Sequence, residues 1–249
     1  MTLRGIDISN HQQGPAVYRN TEWYRAAEFV IVQCITPPKP YTGWDVGGYT
    51  VAQLRAAKED GKKIGIYCWL WNTLADTKAD IRARLALVPD DLALDMRPWL
   101  DVEDVNANTG PSRQQDVLDA LEVMDEWAAA RGLPPTGVYS GDWYIRGYMG
   151  GWFPEGRMYW MADYGLAPTV LPARPIHQYT SSPVDLNVML ESEIVTTVVP
   201  EPNPYTAAIE RAVNRLQIEL DRKTARGKAA ALRRKLIREI SSELYRSLA

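Results

Sequence analysis

The chain has 249 residues, 46% hydrophobic and 24% charged, with a formal net charge of −3. These are the proportions of a soluble globular protein, and the length admits one large α/β domain or a domain of about 200 residues with an appendage. No stretch approaches the roughly 20 consecutive apolar residues of a transmembrane segment. Arg4, Asp7, His11, Arg19, Glu22 and Arg25 break up the N-terminal region, so no signal peptide is expected and synthesis in the cytoplasm is. Two cysteines, Cys34 and Cys68, are too few for a disulfide framework and are expected as buried free thiols.

Residues 3–8 (LRGIDI) form a short apolar run that predicts a strand. Residues 29–35 and 63–71 predict two more, near-continuous in β-branched and aromatic side chains, as expected where both faces are covered. Between them, Thr50 and Gln53 have capping-box spacing, Val51, Leu54 and Ala57 share a helical face, and Gly61 supplies a stop. Asp76 or Thr77 can cap a helix running to about Leu87, and 96–102 returns as a strand. Ser112 with Gln115 predicts a second boxed helix, whose Leu118, Leu121, Met124 and Trp127 recur at helical spacing up to Gly132. Strands are expected at 136–140 and 158–162. This alternation implies parallel strands joined by right-handed crossovers, in an open doubly wound sheet or a closed barrel. Strand-like pieces at 176–180, 184–189 and 193–199, with no helical pattern between them, predict an irregular closure.

Residues 1–198 therefore read as one α/β domain, and 199–204 as a stiff proline-rich linker. Residues 205–249 carry 11 Lys and Arg against 5 Asp and Glu, whereas 1–199 carry 17 against 25. In this basic tail Ile209, Val213, Leu216 and Leu220, then Leu232, Leu236, Ile240, Leu244 and Leu248, predict two amphipathic helices around Gly227. Such a tail is expected to pack on itself, on the body or on another copy, or to hold the protein against an anionic polymer or membrane surface.

The chemistry is expected at PWLDVEDVNANTG, residues 98–110. In a strand, residues i and i+2 share a face, so Asp101 and Glu103 project together. At the C-terminal end of a parallel barrel strand they enter the mouth where such folds place their catalysis. Asp7, ending the first strand, reaches the same rim, and Asp185 in SPVDLN is a fourth candidate. Acids converging this way repel, so one should keep its proton near neutral pH, and a carboxyl pair of this kind is the usual equipment for hydrolysing a glycosidic bond. The alternatives are loop caps ahead of Ser112 or an oxygen-only magnesium site; only His11 and His177 are present to support zinc. Trp 9 and Tyr 13 outnumber Phe 2, which suits a groove that stacks on sugars or bases.

The motifs RGIDISNHQ, LDVED, GVYSGDWY, YWMADY and HQYTSSPVDLN, in that order over roughly residues 4–190, resemble the glycoside hydrolase family 25 lysozymes, the N-acetylmuramidases common among phage endolysins and bacterial autolysins. The resemblance implies an irregular TIM-like (β/α) barrel that hydrolyses the β-1,4 bond between N-acetylmuramic acid and N-acetylglucosamine in peptidoglycan, without a cofactor or metal. It implies Glu103 as general acid and Asp101 as its partner, orienting the 2-acetamido group or stabilising charge on the ring. Asp7 and Asp185 are implied as the remaining carboxylates, and Tyr67, Trp69, Tyr139, Trp160, Tyr164 and Gln178 as the groove. The chain departs from the family pattern at QCITPP (33–38), at Tyr67-Cys68-Trp69, and at His177, where the family often has Trp. Those changes motivate the alternatives of a non-cleaving glycan-binding or virion structural protein, or a hydrolase of another glycan. The expected setting is a phage endolysin or tail-associated lysin acting on the bacterial wall, with no nucleic-acid partner; the basic C-terminal segment would there meet a virion protein or an anionic wall polymer.

Overall fold

A computed structural model describes residues 1–35, 49–71, 76–104, 111–165 and 169–195. Eight strands close a barrel in sequence order: β1 (Thr2–Ile8), β2 (Phe29–Gln33), β3 (Lys63–Trp69), β4 (Trp99–Asp101), β5 (Gly137–Gly141), β6 (Tyr159–Ala162), β7 (Ile176–Thr180) and β8 (Asp185–Leu190). Strands β1 to β7 run parallel, and β8 is antiparallel to both β7 and β1, which closes the ring with Asp7 opposite Asp185. The irregular closure expected beyond residue 165 is this reversed strand. Helices α1 (Pro15–Tyr18), α2 (Glu22–Ala26), α3 (Thr50–Glu59), α4 (Thr77–Leu85), α5 (Pro111–Ala130) and α6 (Asp142–Gly147) connect the strands.

Strand alternation sorts the core into two layers. Ile6, Ile8, Val30, Val32, Ile64, Ile66, Leu100, Val102 and Val138 face outward and pack with Leu54, Ile81, Leu85, Val117 and Leu121 of the helices. Phe29, Ile31, Met96, Trp99, Trp160, Ile176 and Met189 fill the interior, so the barrel is plugged below its mouth. Glycine makes room for these rings: a Cβ at Gly137 would lie 2.2 Å from the Trp99 ring.

The capping box expected at Thr50 and Gln53 is absent, because both residues bond to other elements. Helix α3 has Tyr49 at its N-cap with no side-chain cap. The Thr50 hydroxyl donates to Gln33 O at 2.8 Å, and the Gln53 amide donates to Ser9 O and Gln13 O, tying α3 to the ends of β1 and β2. Helix α5 begins at Pro111 and Gln115 donates to Asp119 within it, while the side chain of Ser112, expected to cap this helix, lies outside the described residues. A capping box does form at Ser9 and Gln12, around the single 3-10 turn after β1. Asp76 caps α4 as expected, and Gly61 ends α3 at φ +73. Of the strand expected at 193–199, Glu193 ends a 3-10 turn, Glu191–Glu193, and turns inward to pair with Arg97, while 196–199 lie outside the described residues. The linker 199–204 and the tail 205–249, with its expected helices, lie outside the described residues.

Candidate active site

The barrel brings the four acids to one end. Val102 faces the helix layer, so Asp101 and Glu103 on either side of it face the barrel axis. Asp101 stands in register between Trp69 on β3 and Tyr139 on β5. The depth is graded: Asp7 and Asp101 are 6% and 3% exposed and form the floor, while Glu103 and Asp185 are half-buried at the mouth.

Each acid feels the others. Burial, then the charge of Asp185, raises Asp7 well above the usual carboxylate range, and the amides of Asn187 and Gln178 oppose that rise. Burial, then Glu103, Asp7 and Asp185, raises Asp101, against the buried guanidinium of Arg113. Burial lifts Glu103 to about 7, with the Tyr139 hydroxyl pulling it down and Asp185 and Asp104 pushing it up. Burial alone lifts Asp185 to about 6. A cluster of four such groups releases its protons in steps that belong to the set. Of the two half-buried members at the mouth, Glu103 is the one raised closest to neutrality.

Hydrogen bonds give the cluster a direction. The Trp160 indole can only donate, and it donates to Asn187 Oδ1 at 2.9 Å, so Asn187 turns its Nδ2 to Asp7 Oδ2 at 2.8 Å. Gln178 Oε1 accepts from Tyr139 at 2.6 Å and Tyr164 at 3.0 Å, so its Nε2 faces the same Asp7 oxygen at 3.1 Å. Tyr139 has one hydroxyl proton. Given to Gln178, it leaves the phenol oxygen free to accept from a protonated Glu103. When Glu103 ionises the proton can turn toward it, and Tyr164 keeps Gln178 bonded. Among the described residues, Asp101 Oδ1 is enclosed with no hydrogen-bond partner.

The expected groove residues divide by depth. Tyr164 is 51% exposed and Trp69 partly exposed at the rim, while Tyr67, Tyr139 and Gln178 line the floor. Trp160 departs from the expectation of a groove contact: it is 1% exposed, its ring lies edge-on to Tyr67, Trp99 and Tyr139 inside the barrel, and it reaches the acids only through Asn187. His11 is exposed on the turn after β1, and His177 is enclosed between Thr169 N and Asp163 O. Cys34 and Cys68 are buried free thiols in the outer layer.

Three residues of the site region went unassigned in the sequence. Asn187 lies two residues after Asp185 on the same strand, and that spacing would have put it on the acids' face. Arg113, fully buried, donates to Leu70 O at the end of β3 and faces Asp101. Trp143 lies in the first turn of α6, two residues beyond the end of β5. No local pattern distinguishes Arg113 from a surface arginine in the first turns of a helix.

A carboxylic acid held near neutrality among acidic neighbours, at the C-terminal mouth of a plugged α/β barrel, defines the class as a glycoside hydrolase. The family profile described as Glycosyl hydrolases family 25 matches residues 6–188. The chain belongs to glycosyl hydrolase family 25. The fold is similar to a family GH25 lysozyme from Aspergillus fumigatus, at 20% identity and a TM-score of 0.56, covering 76% of this chain and 94% of that one. It is also similar to a family 25 glycosyl hydrolase from Bacillus anthracis, at 17% identity and a TM-score of 0.55, covering 77% and 91%. The modular autolysin LytC from Streptococcus pneumoniae shares the fold at 20% identity and a TM-score of 0.58, covering 76% of this chain and 47% of that chain. No curated protein matches the chain in sequence.

Proposed function

We propose that this chain is a peptidoglycan hydrolase of the muramidase type, cleaving the β-1,4 bond between N-acetylmuramic acid and N-acetylglucosamine, with Glu103 as general acid and Asp101 as its partner. The observation that carries the reading is the raised Glu103, at about 7, half-buried at the mouth beside the deeper Asp101. Solved relatives of the fold include a muramidase from Acremonium alcalophilum and LytC in complex with a synthetic peptidoglycan ligand, at 18% and 20% identity. In this reading Glu103 gives its proton to the glycosidic oxygen as the C1–O bond breaks. The 2-acetamido oxygen of the same sugar closes onto C1, and Asp101 orients that group through its N–H. Glu103, now a carboxylate, takes a proton from the water that opens the intermediate. Asp7 and Asp185 set the charge of the pair, and Tyr67, Trp69, Tyr139, Tyr164 and Gln178 contact or position the sugar.

We place the enzyme's action at the bacterial wall, reached after synthesis in the cytoplasm by host-cell lysis or on a virion. The test is mass analysis of digested peptidoglycan after reduction of the new chain ends. Muramitol at those ends supports the proposal. Glucosaminitol would assign a different bond, and wall binding without new ends would assign a glycan-binding protein.

A further inference from the structure

Gly141 ends β5 with φ −87 and ψ 144, a conformation open to any residue, so backbone strain does not explain a glycine there. Space does. A Cβ built on Gly141 would lie 2.2 Å from Trp143 Nε1 and 2.5 Å from its Cδ1. Gly137, Tyr139 and Gly141 alternate along one strand, and the first two face the barrel interior against Trp99 and Trp160. Gly141 therefore faces the mouth, and the Trp143 indole folds back over it, about 7 Å above Tyr139 by strand rise. Tyr139 in turn faces Glu103. The indole is held edge-on by Tyr144, at 5.6 Å between centroids, and by Tyr148, at 6.0 Å. The Tyr144 hydroxyl donates to Asp104 O, which ties this cluster to the loop that carries Glu103. Despite these contacts Trp143 remains 51% exposed.

We propose that Trp143 is a sugar-stacking platform of the cleft, binding a pyranose ring next to the one at the scissile bond. A flat apolar face of a fixed ring, one strand step above the acids, suits the C–H face of a hexose, and its N–H edge can reach a ring hydroxyl. This rests on the glycosidase reading above and names where the neighbouring sugar lies. The aromatic neighbours hold the ring before substrate arrives, so little ordering entropy opposes binding.

The test uses the full chain carrying Glu103→Gln, with amidase-treated, peptide-free glycan strands of alternating N-acetylglucosamine and N-acetylmuramic acid as the probe in calorimetry. Adding Trp143→Ala should weaken binding roughly tenfold, and Trp143→Phe should recover part of it. Gly141→Ala should weaken binding with the indole still present, because its new Cβ displaces the ring. In the Glu103→Gln protein, the indole N–H resonance that is lost on adding Trp143→Phe should shift on titration, a readout independent of the stability of any alanine variant. Equal affinity with and without the indole, or an unmoved resonance, overturns this inference and leaves the glycosidase reading standing. No strand binding by Glu103→Gln with Trp143 intact overturns both.

Discussion

Asn187 gives its Nδ2 to Asp7 Oδ2 across 2.8 Å, and the direction of that bond is set from below by Trp160, which can only donate to the other end of the same amide. With Gln178 donating to the same Asp7 oxygen, that oxygen accepts twice. The proton shared among the acids is thereby steered away from Asp7 Oδ2. Of the two acids at the mouth, Glu103 faces a tyrosine whose proton is already given to Gln178 and is raised closer to neutrality than Asp185.

Replacing Glu103 by Gln should lower turbidity-clearing activity by about 10²–10⁴-fold, since an amide cannot donate the proton. In the parent enzyme activity should fall as pH rises through about 7, where Glu103 loses its proton. A pH–rate profile of parent and variant checks both statements; full clearing by the variant would refute the assignment.

Stability gives a second check with a fixed sign. Glu103 is raised from 4.5 to about 7 and Asp185 from 3.8 to about 6. Between the unfolded and folded values the native state binds the extra protons, so these groups lose stability as pH climbs from about 4 to about 7. Below that window their penalty vanishes. Glu103→Gln should therefore be more stable than the parent at pH 8, by on the order of 2 kcal/mol, and equal to it near pH 4. Urea unfolding at the two pH values reads this directly.

Tyr139→Phe removes the hydroxyl that pulls the Glu103 pKa down. The alkaline limb of the pH–rate profile should move to higher pH, while Tyr164 keeps Gln178 Oε1 occupied. An unmoved limb would show that the phenol does not act on Glu103.

Arg84 is 2% exposed, pairs with Asp80 four residues earlier and donates to Trp69 O at 2.6 Å, pinning the end of β3 beside Asp101. Arg84→Met should cost about 3–5 kcal/mol, because it takes the guanidinium away from a carboxylate whose side chain is only 7% exposed. Adding Asp80→Leu should restore much of that loss, since it removes the buried charge. Chemical denaturation of the single and double variants separates the two effects.

Gly137→Ala adds a methyl group 2.2 Å from the Trp99 ring, in a barrel interior with no spare room. The overpacking should cost about 1–3 kcal/mol and lower Tm by several degrees in a scanning experiment.

The sequence by itself determined the order of the eight strands and of helices α3, α4 and α5, though not α1, α2 and α6, together with the face-sharing of Asp101 and Glu103 and the candidacy of Asp7 and Asp185. These follow from local periodicity, which is written in neighbouring residues. The tertiary structure decided what depends on partners distant in the chain. Thr50 and Gln53 have the spacing of a cap, yet they bond to Gln33, Ser9 and Gln13, because buried carbonyls at the barrel rim need donors. Trp160 has the composition of a groove residue, yet parity along β6 and closure of the ring send it inside. The inverted β8 opposes Asp185 to Asp7 and aims Asn187 at the same acid, a pairing across nearly the whole chain that no local spacing encodes. Burial, the cause that lifts Glu103 to about 7, exists only once the barrel has closed around it.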